Sequence, residues 1–352
     1  RYFEEKGEMR PIPEGGYEGE YIKDLARDIS AAHPEIETMG EDDIEKLFQA
    51  EALESIISQQ RSILENYGVK YDNWFRESQL HKSNAPGRVL DKLQEMGLTY
   101  KQDGAVWFMS SKYGDEKDRV LVRQDNTPTY FLSDLAYHVH KASRAFDDSY
   151  TFWGPDHHGY LPRLENAVHA LSLDNTKFHN FIIQQVNLIR DGKPFRMSKR
   201  KGDFITISEL LSDVSVDAAR YFFLMRRLST HFDFDMSLAV KKSDDNPVFY
   251  VQYAHARTCS LVKHALDRGF TQSEMSAASP ERLVEEEELD IMKTIAEFPA
   301  MLRSTEQYVE PHRITGYLEG LAASFHRFYQ KHRIVTDDRE LSLSRLLLTA
   351  GA

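Results

Sequence analysis

Arg190 to Gly202 reads Arg-Asp-Gly-Lys-Pro-Phe-Arg-Met-Ser-Lys-Arg-Lys-Gly, with six basic residues (Arg190, Lys193, Arg196, Lys199, Arg200, Lys201) against one acid, Asp191. It follows an apolar run, Phe181 to Ile189, and Gly192, Pro194 and Gly202 make it a poor helix and a poor strand. A concentrated cationic loop after a buried strand suits a polyphosphate, because ammonium and guanidinium groups can follow charge as it moves. Charge alone fits a solvated basic loop equally well. The distinguishing feature is its core, Arg196-Met197-Ser198-Lys199-Arg200.

Three further stretches carry chemistry. Gln124-Asp-Asn-Thr-Pro-Thr129 is a turn cluster before Tyr130 and Asp134, which share a helical face at i and i+4. A carboxylate with an aromatic neighbour can receive a guanidinium by bidentate hydrogen bonds and stacking, although a surface Asp on a first helical turn looks the same. Trp153-Gly-Pro-Asp-His-His-Gly159 lies between a strand and a helix; Gly154 permits close backbone approach and Asp156 suits a ribose hydroxyl pair. Asp156-His157-His158 also matches the name-giving triplet of a manganese phosphoesterase family. Consecutive side chains diverge, however, and the supporting acidic and His motifs of such a site are not evident, so no metal site is expected. Asn246–Arg257 offers Tyr250, Tyr253, His255 and Arg257, which suit stacking on single-stranded RNA and equally the half-buried face of a helix. His138 and His140 point to opposite sides of a helix, which disfavours a chelate there.

These groups must be held by the elements around them. Residues 1–20 look like a linker into a short helix, Tyr21–Ile29, and a helical pattern runs from Asp42, capped by Asp42 or Asp43, to a stop at Gly68. Residues 69–118 alternate apolar groups with turns such as Asp103-Gly104, with a strand at Ala105–Met109. From Arg119 the texture is α/β: strands at Val120–Val122, Tyr150–Trp153 and Phe181–Ile189, helices at Tyr130–Ser143 and Leu161–Leu171, then helices Ile207–Leu211 and Val216–Met225. That alternation predicts a parallel sheet with ligands at the carboxyl ends of its strands. Val248, Val251, His255, Cys259, Val262 and Leu266 then predict an amphipathic helix packed along that face, and helical signals recur at Glu281–Leu302 and at Ile314, Leu318, Leu321, Phe325 and Phe328.

Composition excludes several classes. The 352 residues are 41% hydrophobic and 28% charged, in the soluble globular range. No apolar run approaches the roughly 20 residues that span a bilayer, so a cytoplasmic protein without membrane association is expected. The single Cys259 leaves no disulfide framework or thiolate cluster within the chain. The net charge of −12 sits mostly in residues 1–60, with 16 acids and 6 bases, so a nearly neutral body with basic patches remains compatible with nucleic acid.

Taken in order, the segments resemble one family. Arg196-Met-Ser-Lys-Arg200 is similar to the Lys-Met-Ser-Lys-Ser signature of class I aminoacyl-tRNA synthetases. Its flanks resemble bacterial-type arginyl-tRNA synthetase: Lys117–Arg123, Thr129–His138, Gly154–Leu164, Gln185–Gly192, Val216–Arg226 and Asn246–Arg257. The likeness is continuous from about residue 105 to 265 and weaker in Glu14–Asp24 and Glu310–Ile314. The resemblance implies an α/β fold containing part of a Rossmann-type parallel sheet core. It implies an inserted mixed α+β region over 1–104, the second half of the catalytic domain over 105–245, and an incomplete all-α anticodon-binding domain over 246–352. It implies ATP-dependent activation of L-arginine to arginyl-adenylate and transfer to the 2′-hydroxyl of the terminal adenosine of tRNA(Arg), with Mg2+ as cofactor. By match, Tyr130, Asp134 and His158 would hold arginine, with Asp134 on the guanidinium. Gly154, Asp156, His157 and Met197 would hold ATP; Lys199, Arg196 and Ser198 would be catalytic; Tyr250, Tyr253 and Arg257 would bind tRNA. A non-catalytic synthetase-like module that binds tRNA or arginine is the alternative.

The departures from the family pattern carry their own expectations. Arg196 stands where the family has lysine and Arg200 where it has serine, and a planar guanidinium is not a point ammonium. Asp125-Asn126 replaces an Asp-Gly turn, a mild change because Asn tolerates left-handed backbone. Nothing reads His-x-Gly-His, the motif of the first Rossmann half, so a fragment is expected whose partner is the missing N-terminal half of the same protein. An exposed sheet edge and an uncovered apolar face then follow. The expected outcome of an arginine- and tRNA-dependent ATP–pyrophosphate exchange assay on this polypeptide is no exchange; robust exchange contradicts the fragment reading.

Overall fold

The computed structural model describes residues 1–8, 10–12, 16, 19–173, 175–194 and 205–352. The chain separates into two compact units: Arg1–Lys70 with Asn187–Arg227 and Asp233–Ala352, and Tyr71–Val186 with Leu228–Phe232.

The second unit begins with helices Glu77–Lys82 and Ala85–Glu95. An antiparallel sheet follows, Thr99–Gln102, Ala105–Phe108 and Arg119–Val122, in that order. Its first hairpin closes at Asp103 and Gly104, both with positive φ, the backbone that an Asp-Gly turn supplies and that suits the right-handed twist of paired strands. Strand Asp148–Trp153, helix Leu161–Ala170 and strand Lys177–Ile182 then form a βαβ unit whose two strands pair in parallel. The core joins Leu93, Phe108, Leu121, Leu135, Leu164 and Leu171, each at most 1% exposed.

The expected strands are therefore distributed differently. Arg119–Val122 belongs to the antiparallel sheet, because Val120 and Arg119 register against Trp107 and Phe108. The apolar run Phe181–Ile189 is two strands, Lys177–Ile182 and Val186–Arg190. The chain leaves the first pair at Gln184, whose N–H donates to the Leu228 carbonyl, and Val186–Arg190 joins a sheet with Lys193–Pro194 and Phe232–Asp235. A continuous apolar run cannot reveal which neighbour each half will find.

In the first unit, helices Glu20–Ala32 and Glu41–Asn66 bury Leu25, Ile29, Ile36 and Ile44 together. Gly40 is the N-cap of the longer one, so Asp42 and Asp43 serve its first turn as charges complementing the dipole rather than as caps. Gly68, at φ +78°, terminates it as expected. From Pro247 the described residues are helical, with Pro247–Asp267, Glu286–Tyr308, His312–Lys331 and Arg339–Gly351 the long elements.

The packed face of Pro247–Asp267 matches the expected one in part: Val248 is buried and Val251 and Val262 pack against the core. Ala254 and Ala265 are buried beside Leu261 and Val262, whereas His255, Cys259 and Leu266 are exposed. Small alanines allow close helix approach, so the packed seam includes Ala254 and Ala265 beside the larger Val248, Val251 and Val262. The long helix Glu286–Tyr308 also starts later than Glu281, after a 3₁₀ turn at Pro280–Arg282.

Inside this helical region Glu288, fully buried, receives the Arg345 guanidinium at 2.6 Å and caps the Glu285 backbone N–H at 3.0 Å. Arg345 also donates to the Arg333 carbonyl at 2.7 Å. Arg345→Ala leaves the carboxylate buried without its cation, and a loss of roughly 3 kcal/mol is expected in denaturant unfolding. Replacing both residues by Met should cost clearly less than the single change.

Candidate arginine-type cation cavity and aromatic–guanidinium cluster

Thr129 seats the helix Tyr130–Ser143 against the antiparallel sheet. Its hydroxyl donates to the Val120 carbonyl at 2.9 Å and accepts from the Leu132 N–H. The preceding turn uses Asn126 at φ +62°, with Arg123 N–H donating to the Thr127 carbonyl and Asp125 accepting from Thr127 N–H. The Asp125-Asn126 pair thus performs the left-handed turn expected of it.

This start places Tyr130 and Asp134 on one side of a cavity of about 300 Å³, with Glu77, Ser133, Tyr137, Lys141, Thr151 and Trp153 completing its polar and aromatic wall. Tyr130 is 58% exposed at the mouth, and the Asp134 carboxylate lies deeper. The Tyr160 hydroxyl donates to Asp134 Oδ2 at 2.5 Å. Burial raises the Asp134 pKa, the Tyr160 hydrogen bond opposes that, and the nearby Glu77 carboxylate pushes it further up. The Asp134 charge in turn raises the Tyr130 phenol, and burial with the Asp134 hydrogen bond drives the Tyr160 phenol far up, so both are neutral donors at ordinary pH. Two carboxylates and neutral aromatics in a half-closed space form a receptor for a cation with planar donors.

The back wall is cationic and partly withdrawn from solvent. Lys141 Nζ donates to Thr151 Oγ1 at 3.2 Å and to His138 Nε2 at 3.2 Å, beneath the Tyr137 and Phe178 rings. Burial lowers Lys141 to about 8 and His138 to about 4. The His138 ring is thus neutral at pH 7, with Nδ1–H donating to the Asp134 carbonyl at 2.8 Å and Nε2 accepting from Lys141. His140 takes another direction, its ring tilted against Phe75 with centroids 4.7 Å apart.

The Trp153–Gly159 stretch lies at the carboxyl end of Asp148–Trp153. Gly154, Asp156 and His158 are exposed on a 3₁₀ turn, and a Cβ on Gly154 would meet nothing within 4 Å. His157 folds back on Trp153 and Tyr160, with ring centroids 5.2 and 6.3 Å away, and its charge bears on Asp134. The structure thus brings His157 toward the cavity and leaves His158 outside its wall. Among the described residues, no three His, Cys, Asp or Glu side chains come together to hold a metal ion. Arg196, Met197, Ser198 and Lys199 lie outside the described residues.

On helix Pro247–Asp267, the Arg257 guanidinium lies 4.2 Å from the Tyr253 ring centroid and 4.9 Å from that of Tyr329, and donates to Tyr253 Oη at 2.9 Å and His326 Nδ1 at 3.2 Å. Tyr253 and Tyr329 remain 39% and 38% exposed. Tyr250 turns away onto His326, partly buried in the helical core. Tyr253 and Arg257 therefore form an exposed cluster, and Tyr250 supports it from behind.

Sequence reasoning missed Glu77, Tyr160, Lys141 and Tyr329. Tyr160 sits within the quoted Gly154–Leu164 segment, and its aromatic ring beside two histidines was the available signal. Glu77 had none, because it belongs to a stretch read only as helices and hairpins.

Residues 251–352 match the family described as the DALR anticodon binding domain. The chain is 44% identical over 343 residues to an arginine–tRNA ligase of Symbiobacterium thermophilum, covering 97% of this chain and 62% of that protein. It is 40% identical over 349 residues to an arginine–tRNA ligase of Desulforamulus reducens, covering 99% and 62%. It therefore spans about 62% of the length of these curated relatives. A crystal structure described as an arginyl-tRNA synthetase from Campylobacter jejuni superposes with a TM-score of 0.87 at 32% identity, covering 98% of this chain and 74% of that one. Among the described residues, no helix is long and apolar enough to cross a membrane.

The neutral His138 makes a pH prediction. The unfolded ring binds a proton near 6.5 and the folded ring only near 4, so unfolding takes up a proton between these values and stability falls as pH drops through that window. Urea unfolding at pH 7 and pH 4.5 should show a smaller acid-induced loss in His138→Gln than in the parent protein.

Proposed function

The chain belongs to the arginyl-tRNA synthetase family, and on that premise we propose that it serves arginine–tRNA ligation. In that reaction the arginine carboxylate attacks the α-phosphorus of ATP and expels pyrophosphate. The 2′-hydroxyl of the tRNA terminal adenosine then attacks the adenylate carbonyl and releases AMP. The observation that carries the reading is the cavity in which Asp134 and Glu77 face a half-closed aromatic space beside Tyr130.

In this assignment the guanidinium of arginine binds Asp134, with Glu77 as a second acceptor and Tyr130 over its face. A planar five-donor cation is the ligand that a partly buried carboxylate, a second carboxylate at the more exposed Glu77 and an aromatic mouth favour. Gly154, Asp156 and His157 would face the adenosine from the carboxyl end of the parallel strand, a position suited to nucleotides in open α/β sheets. His158, pointing to solvent, fits contact with a ligand outside the cavity better than with the guanidinium. Lys199, with Arg196 and Ser198, would stabilise charge on the phosphates, and Met197 would pack near adenine. Such transfer depends mainly on positioning and charge stabilisation. Magnesium would supply charge neutralisation on the phosphates; no set of three or more acidic, His or Cys side chains among the described residues forms a site for it, and no step is assigned to it.

The parallel pair has one aromatic face open. Tyr150 and Phe152 are 46% and 52% exposed, and Phe181 stacks beside both. This supports a pair that belongs to a larger Rossmann-type sheet, whose other part would cover these rings. The 1–104, 105–245 and 246–352 division is proposed by role: connective region, catalytic half and anticodon-binding helices. The match to an anticodon binding domain supports tRNA as the partner of the helices, with the Tyr253–Arg257–Tyr329 cluster stacking on a base and Tyr250 steadying it.

One paired experiment tests both halves of the proposal. Asp134→Ala should lower arginine affinity at least tenfold by calorimetry while tRNA(Arg) retention on filters is unchanged. Arg257→Ala should weaken tRNA retention and leave arginine affinity as it was. Arginine affinity indifferent to Asp134 would overturn the assignment of the cavity.

A further inference from the structure

The Tyr160 phenol meets Asp134 but has no task in the scheme above. Tyr160 immediately precedes helix Leu161–Ala170, whereas Asp134 sits on helix Tyr130–Ser143, so their hydrogen bond ties the start of one helix to the other. The ring is enclosed on several sides. Phe131 and Trp153 meet it edge-on at 6.3 and 6.2 Å, His157 at 6.3 Å, and the Arg163 guanidinium lies 5.8 Å from its centroid. A phenol fixed this way has one direction in which to donate.

An Asp carboxylate has a broad, nearly two-fold terminal torsion, so burial alone does not set the plane of its oxygens. That plane matters for a guanidinium, whose donors form a rigid flat fork, and matters little for an ammonium, whose donors rotate. Among the described residues the only side-chain hydrogen bond to Asp134 is the one from Tyr160 to Oδ2, which leaves Oδ1 without such a bond in a residue that lines the cavity together with Glu77.

We propose that Tyr160 is a positioning residue that locks the plane of the Asp134 carboxylate and thereby makes the cavity selective for a planar guanidinium over an ammonium. This rests on the reading of the cavity as the arginine site. It adds a specificity determinant on a different helix from Tyr130 and Asp134. The phenol also opposes the upward push of burial on Asp134, and so favours the charged form of the carboxylate.

The test compares the full chain with its Tyr160→Phe and Asp134→Asn variants, using L-arginine and L-lysine as probes in calorimetry and the carbon-13 signal of the Asp134 carboxyl in NMR. In Tyr160→Phe, arginine affinity should fall about tenfold, the weak affinity for lysine should stay the same, and the Asp134 titration should move to higher pH. A merely structural tyrosine would weaken both ligands alike and leave the titration in place, which would overturn the proposal. So would a Tyr160→Phe variant that binds arginine as tightly as the parent while Asp134→Asn abolishes binding; the arginine reading would then stand alone. Arginine binding unaffected by Asp134→Asn would overturn the reading and the proposal together.

Discussion

A carboxylate partly withdrawn from water sets the terms for the unit built from Tyr71–Val186. Burial of Asp134 disfavours its charge, and Glu77 in the same cavity disfavours it further. An isolated buried anion is among the more costly groups a protein can hold, and here the cost is met partly by one hydrogen bond from Tyr160 and partly by the Lys141 ammonium behind it. What remains is an electrostatic deficit that an incoming cation offsets. Lys141 and His138 show the same arithmetic with the opposite sign, since burial lowers both and leaves the imidazole neutral.

Holding that carboxylate requires the surrounding elements to be rigid. Thr129 fastens the start of its helix to the strand carbonyls of Val120 and Leu121, and the turn before it is locked by Asn126 and Asp125. Strand Asp148–Trp153 delivers Thr151 and Trp153 to the cavity and leads into the Gly154–His158 turn. The alternate residues Tyr150 and Phe152 point the other way and remain open to solvent. One strand thus serves the site with one face and presents an unfilled aromatic surface with the other, as the two-residue period of a strand dictates.

The helical region solves a different problem. Its core sets alanines of Pro247–Asp267 against large apolar side chains, its buried charge pair Glu288–Arg345 is satisfied by a cap and a carbonyl, and its exposed chemistry gathers where Arg257 is flanked by two tyrosines. A guanidinium already engaged by aromatic faces and a phenolic oxygen is pre-oriented, which lowers the entropy lost when a flat ligand stacks on it.

Much of this was legible in the chain itself. Helix Tyr130–Ser143, the Asp103-Gly104 hairpin, the Gly68 stop and the left-handed Asn126 follow from periodicity and turn chemistry, which act over a few residues. The i, i+4 spacing alone put Tyr130 and Asp134 on one face, and the run of motifs pointed to the family. Tertiary structure decided what local signals cannot carry: that Phe181–Ile189 splits between two sheets, that the helix Pro247–Asp267 buries Ala254 and Ala265 while leaving His255, Cys259 and Leu266 exposed, and that Glu77 shares the cavity of Asp134 while Tyr160 bonds to it from before another helix. Side-chain periodicity records which face an element buries. It does not record what lies against that face, and the ionisation of Asp134 depends on just that.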